Sequence, residues 1–255
     1  MSRSTNHLLS THLHDWPRTV SEAKTIQASV GSRVEILKDA DEPPSAAGDD
    51  WDDGLPRLIA GVDASYTRFD RLGFAAVVVW DRRSNTVVEA VNEVGTTPFP
   101  YVPGYLSFRE GPLVLQAIAK LKARPSVFVF DGQGVAHPKG LGLACHLGAW
   151  IGVPSIGIAK SRLTGRYEEP ARSRGSRADL LAERDGPRVV EGAKIGTVLR
   201  TRDHVQPVFV SPGHLSSHAF AVDVALACHG GRRIPEPTRL ADLETKRLRR
   251  EHEAS

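Results

Sequence analysis

The sequence predicts one mixed α/β domain, a mixed sheet with helices on both faces. Three β-patterned runs, at residues 58–66, 73–80 and 86–94, follow one another over short connections, which is the spacing of an antiparallel meander. After them, strands and helices alternate, as parallel strands with crossover helices require. A third observation marks the working end of the sheet. The apolar run 127–130 ends at Asp131 and continues as Gly132, Gln133, Gly134, Val135, Ala136, His137, Pro138, Lys139 and Gly140. A carboxylate at a strand's carboxyl end, followed by glycines and cationic side chains, stands where α/β sheets place their ligands.

With 255 residues, 40% of them hydrophobic, the chain can bury a substantial core. A net charge of +3 is mildly basic and suits an anionic partner without demanding one. The two cysteines, Cys145 and Cys228, have neither metal-ligand nor disulfide-framework spacing, which fits a reducing compartment. No run approaches the roughly 18–20 apolar residues that span a bilayer, and the polar N-terminus lacks a signal-peptide core. The chain reads as cytoplasmic, with no membrane partner and acting as a monomer.

In order, residues 1–15 read as a flexible start, and the domain runs over 16–250. Ala23, Ile26, Val30, Val34 and Leu37 recur at helical spacing and predict a helix over 21–37. Residues 39–54, acidic and rich in Pro, Ala and Gly, read as a disordered insertion, with Asp49, Asp50, Asp52 and Asp53 in a solvated cluster. The meander follows. Pro98, Pro100, Pro103 and Gly104 then stiffen a loop around Tyr101. Leu113, Ala117 and Leu121 share a helical stripe in 107–122. Beyond the Asp131 strand come a helix over 141–151 and a strand over 153–159. The arginine-rich stretch 162–188 reads as a loop with some helix at 178–183. Residues 194–200 and 208–210 pair as a hairpin, 216–228 form a helix capped by Ser216 or Ser217, and 238–250 a charged final helix.

The carboxylates suggest chemistry. Asp63 ends the first strand of the meander; if that strand neighbours the one ending at Asp131, both acids share one sheet edge. Glu110 lies at a helix start, where it either completes a capping box with Ser107 or stays outside a helix beginning at Gly111-Pro112. Asp242 lies on the last helix, with Leu240 and Leu243 as the expected inward face. Converging carboxylates repel one another, and a hard divalent cation relieves that repulsion. Spacing alone shows only that such a site is possible.

The motifs resemble endonuclease V. They are Gly61-Val62-Asp63-Ala64-Ser65-Tyr66, Pro100-Tyr101-Val102-Pro103-Gly104-Tyr105-Leu106-Ser107-Phe108-Arg109-Glu110, Asp131-Gly132-Gln133-Gly134-Val135-Ala136-His137-Pro138, Gly157-Ile158-Ala159-Lys160-Ser161, Val210-Ser211-Pro212-Gly213-His214 and Pro235-Glu236-Pro237-Thr238-Arg239-Leu240-Ala241-Asp242, in family order. The resemblance implies an RNase H-like fold and a DNA repair nuclease using Mg²⁺, with Mn²⁺ as a substitute. Such an enzyme recognises deoxyinosine in DNA and cuts the second phosphodiester bond on its 3′ side, leaving 3′-hydroxyl and 5′-phosphate ends. Carried over by position, Asp63, Glu110 and Asp131 are metal ligands. Asp242 matches a fourth position near the metal, and His137 and Lys160 match residues near the scissile phosphate. Tyr101, Pro103 and Gly104 match a wedge that enters the duplex, while Gly132, Gln133, Gly134 and His214 complete the substrate-binding set. Glycines in the 132–135 loop would let backbone groups reach the lesion's Watson–Crick edge. Two other readings stand beside this one: a ribonuclease for inosine in RNA, and a non-catalytic nucleic-acid binding module on the same fold.

Overall fold

The computed structural model describes residues 9, 12–44, 50–67, 72–228 and 230–254. The chain enters through α1 (Val20–Gly31), whose start is fixed by a capping box between Thr19 and Glu22. This helix is shorter than its periodicity predicts. Residues beyond Gly31 leave it and lie along the next layer, where Ile36 bridges to Ser216 and Leu37 N–H donates to the Ser216 carbonyl. Much of the expected flexible start lies outside the described residues, as does Asp49.

The end of the expected acidic insertion is a hairpin. Strands β1 (Trp51–Asp52) and β2 (Leu55–Pro56) pair around Asp53 and Gly54, both at positive φ. Asp-Gly is the sequence signature of that tight turn. Trp51 stacks on Phe220, Asp50 pairs with Arg57 and Arg83, and Asp52 with Arg82 and Arg83. Asp50 and Asp52 are thus ion-paired rather than merely solvated.

The meander forms as expected: β3 (Leu58–Tyr66), β4 (Leu72–Asp81) and β5 (Thr86–Thr96) pair antiparallel. Then follow α2 (Leu106–Ile118), β6 (Val127–Phe130), α3 (Leu143–Ile151) and β7 (Ser155–Ala159). The last third holds β8 (Arg177–Leu181), β9 (Lys194–Leu199), β10 (Val208–Pro212), α4 (His218–Ala227) and α5 (Glu236–Glu253). The large sheet runs in the order β5-β4-β3-β6-β7-β10-β9-β8, with β6 parallel to both β3 and β7.

Strand β8 corrects the helix expected at 178–183. It pairs with β9, and its alternation buries Leu180 while exposing Arg177 and Asp179. Sheet pairing overrides a five-residue stretch of middling helix propensity. The arginines around it are partly spent inside the protein: the Arg188 guanidinium donates to the Gly31 and Val34 carbonyls at the end of α1.

Alternation along β6 divides the core. Phe128 and Phe130 pack with α2 and α3 on one face, and Val127 and Val129 with α4 on the other. Helix α5 lies on that second face against β3 and β4, through Ala241 and Thr245. Its inward side is Thr238, Ala241 and Thr245, with Leu240 packed beside them as expected; Leu243, also expected inside, is 46% exposed. Small residues bring this helix close. At Gly61 a β-carbon would collide with the Pro237 carbonyl, so Gly61 allows α5 to descend onto β3 and carry Asp242 over Asp63.

Candidate active site

Asp131 follows β6 directly, and its N–H donates to the Val62 carbonyl of β3 at 3.0 Å. That bond sets Asp131 beside Asp63. Strand β3 does not stop there, as the sequence reading has it: it runs on to Tyr66, paired with β4. Asp63 is thus a mid-strand residue that becomes accessible because its other neighbour, β6, ends at Phe130. Asp242 comes down from α5. Ligand atoms of Asp63, Asp131 and Asp242 all lie within 4.8 Å of one another.

Cations and a hydroxyl brace this cluster. Lys160, just past β7, donates to Asp131 Oδ2 at 2.5 Å and to Asp242 Oδ1 at 3.2 Å. Lys246 donates to Asp242 Oδ2 at 2.6 Å, and Thr245 Oγ1 to Asp63 Oδ2 at 2.6 Å. Sequence reasoning missed Thr245 and Lys246. The available signal was their spacing, three and four residues after Asp242 on one helix.

Glu110 does not form the capping box. The N-cap of α2 is Tyr105, without a side-chain cap bond, and Glu110 sits inside the helix, 7% exposed. Nor does it stand outside a helix that starts at Gly111. It lies outside the group of three aspartates, yet close enough that Asp63 and Asp131 add to the burial that raises its pKa well above the usual carboxylate range. The charge of neighbouring Arg109 pulls the other way without overcoming them. Burial, with the charges of Asp131 and Asp242, likewise pushes Asp63 up to about 7 against the pull of Thr245 and Lys160. Burial works against charge on Asp242, but Lys246 and Lys160 hold its pKa down. For Lys160 the two carboxylates overcome the cost of burial and raise its pKa.

Three carboxylates with converging oxygens, and a fourth buried close behind them, make a donor set suited to a hard divalent cation. The ligand atoms that meet are those of Asp63, Asp131 and Asp242, whereas the sequence reading counted Glu110 among the ligands and set Asp242 beside them.

The expected recognition residues divide. Tyr101 is 70% exposed on a loop turned by a Tyr105 N–H to Val102 carbonyl bond at 3.0 Å. His137 is buried; its Nδ1 accepts the Lys139 N–H at 3.2 Å, and its ring is held by the Gly104 backbone. Burial, then Lys139, lowers its pKa to about 4, so it is a neutral side chain between the two loops.

The glycine loop is largely used internally. Gly134 N–H donates to Ser211 Oγ, Val135 N–H to the Pro212 carbonyl, and the Gln133 and Gly134 carbonyls accept from Ala144 and Gly142. A β-carbon at Gly134 would strike the Pro212 carbonyl. This glycine therefore serves close packing more than open approach to a base. Gln133 donates from Nε2 to the Ser161 carbonyl at 3.1 Å, while its buried Oε1 has no partner among the described residues.

His214 is not brought to the cluster. Its carbonyl accepts from Ser155 at the entry of β7, whereas Lys160 follows the exit of that strand. Buried, it accepts the Glu35 N–H on Nδ1 at 3.1 Å.

A family model described as Endonuclease V matches residues 46–243. The Endonuclease V of Kosmotoga olearia is 40% identical over 240 residues, which is 94% of this chain and 96% of that protein. The crystal structure of Endonuclease V from Streptomyces avermitilis is 40% identical, with a TM-score of 0.80 over 93% of this chain and 96% of that one. A more distant structure shares the fold at a TM-score of 0.73 and 24% identity, over 91% of this chain and 98% of that one: Ciona intestinalis Endonuclease V in complex with a 24mer DNA containing an inosine followed by a ribo-adenosine. No helix among the described residues is long and apolar enough to cross a membrane. The family model covers most of the chain, the relatives align along nearly their whole length, and the carboxylates of the shared motifs meet in space: the chain belongs to the endonuclease V family of nucleases.

Proposed function

We propose that this protein nicks DNA beside deoxyinosine, at the second phosphodiester bond on the 3′ side, leaving 3′-hydroxyl and 5′-phosphate ends. The observation that carries the reading is the convergence of Asp63, Asp131 and Asp242 within 4.8 Å, next to a buried Glu110. These aspartates would hold Mg²⁺, or Mn²⁺ in its place, with Glu110 balancing charge from behind. Bound there, the cation supplies Lewis-acid polarisation of the phosphoryl oxygen and lowers the pKa of a water.

The chain's own groups divide the remaining work. Lys160 and Lys246 are ammonium donors already at the cluster, suited to the charge that builds on a phosphate in the transition state. Tyr101, exposed on a proline-stiffened loop, fills the gap when a base leaves the stack. Gln133 Oε1, buried and without a partner among the described residues, is an acceptor that the lesion's edge could satisfy once the loop admits a base. Inosine carries N1–H where adenine carries a lone pair, so an acceptor there favours inosine by about 1–3 kcal/mol. The inosine-containing DNA held by the Ciona relative supports this substrate. The ribo-adenosine after that inosine also keeps a second reading open, inosine in RNA.

Matched duplexes with and without one deoxyinosine, and an inosine-containing RNA, test the substrate on a sequencing gel with Mg²⁺. The proposal expects a single nick in the lesion strand at the second bond. Cleavage of the RNA alone would move the substrate to RNA, and cleavage of neither would favour a binding module.

A further inference from the structure

Helix α1 precedes the span 46–243 matched by the family model. It nevertheless touches the loop that carries Tyr101. Gln27, 4% exposed on α1, donates from Nε2 to the Gly104 carbonyl at 3.0 Å. Gly104 has a φ of +82°, a conformation that suits glycine, and the His137 ring lies 3.6 Å from where a β-carbon would stand. One residue on, Tyr105 is engaged by Lys139, whose Nζ lies 4.2 Å from the ring centroid and bonds the hydroxyl. The loop is thus tied down at Gly104 and Tyr105, while Tyr101 projects into solvent.

The other end of the Gln27 amide sets its role apart from packing. Its Oε1 is buried and has no partner among the described residues. A buried acceptor left unpaired is destabilising, so an apolar side chain of this shape would serve packing better. What the amide adds is the donor aimed at Gly104. The helix beneath it is firmly placed, since Arg188 fastens the carbonyls of Gly31 and Val34.

We infer that Gln27 is a positioning residue for the Tyr101 loop: from α1 it fixes the Gly104 carbonyl and holds Tyr101 in the posture that opens a duplex. The inference rests on the wedge reading of that loop. A loop ordered before binding loses less freedom on insertion, so the gain appears where a base must be displaced from a stack, and not where the strand is already single.

The test compares the full chain with Gln27→Met, which keeps the length and removes the donor, and Gln27→Glu, which sets a carboxylate against the carbonyl. Each is assayed with Mg²⁺ on a deoxyinosine duplex and on the same strand alone, and thermal unfolding is recorded. The duplex-to-single-strand rate ratio is expected to fall about tenfold in Gln27→Met and at least as far in Gln27→Glu, with the melting temperature of Gln27→Met no lower than that of the wild type. Tyr101→Ala is expected to lower the same ratio, and adding Gln27→Met to it to have no further effect. An unchanged ratio in Gln27→Met, with a lowered one in Tyr101→Ala, overturns the role of Gln27 and leaves the wedge standing. An unchanged ratio in Tyr101→Ala overturns the wedge and this inference together. An equal loss on both substrates with a lowered melting temperature reduces Gln27 to packing and also overturns it.

Discussion

Lys160 Nζ lies 2.5 Å from Asp131 Oδ2, and the two residues leave adjacent parallel strands, β7 and β6, at the same end of the sheet. An ammonium so placed offsets part of the site's negative charge and, on the proposed function, is a donor for the substrate's phosphate. Lys160→Met separates the two effects. The loss of a transition-state donor is expected to lower kcat about 100-fold. Removing a competing positive charge is expected to tighten Mn²⁺ binding several-fold, which titration calorimetry measures. A lysine of purely structural value would weaken both.

Asp63 makes the metal-free protein sensitive to pH. Its folded-state pKa of about 7 lies above the ordinary value of 3.8, because of burial and then of Asp131 and Asp242. The folded state therefore keeps a proton that the unfolded chain gives up, so this group's stabilising contribution is present at acid pH and is lost as pH rises from about 4 to 7. In chelator, Asp63→Asn is expected to raise the melting temperature at pH 8 by about 2–6 °C and to flatten its pH dependence. Excess Mn²⁺ is expected to stabilise the wild type and not the variant. A lower melting temperature for Asp63→Asn in chelator would contradict this.

His214 matches a family motif, yet the structure gives it a joint to hold, with the Glu35 N–H donating to its Nδ1. His214→Leu is expected to cost about 1–3 kcal/mol of stability by leaving that donor unpaired. Nicking by the folded fraction should stay within about twofold of wild type. Chemical denaturation and single-turnover kinetics check the two parts; a large loss of rate without a loss of stability would instead support substrate binding by His214.

Much of the architecture was legible because it is written in local patterns. The alternation of β3, β4 and β5, and the short run Val127–Phe130 ending at Asp131, locate the meander and the site's end of the sheet. What was not legible depends on partners distant in sequence. Strand β8 exists because β9 is there to pair with it. Asp242 turns inward because Gly61 lets α5 approach, and Thr245, not Leu243, faces the sheet. Glu110 could not be placed from its capping pattern, since both local readings omit its burial within α2. The β1–β2 hairpin was within reach: Asp53-Gly54 announces the turn, but the acidic composition around it masked the signal. The glycines after Asp131 suggest openness toward a base, whereas at Gly134 the contact is the protein's own Pro212 carbonyl.

On the proposed function, nicking depends on Asp63, Asp131 and Asp242 and on the cation they would hold. The rate of nicking a single-deoxyinosine duplex as a function of Mg²⁺ concentration, for the wild type and for Asp131→Asn, tests it most directly. Saturable Mg²⁺ dependence is expected in the wild type, with no nicking in chelator and at least a 100-fold loss in Asp131→Asn at every Mg²⁺ concentration. Nicking by Asp131→Asn at the wild-type rate, with the same Mg²⁺ dependence, would contradict it.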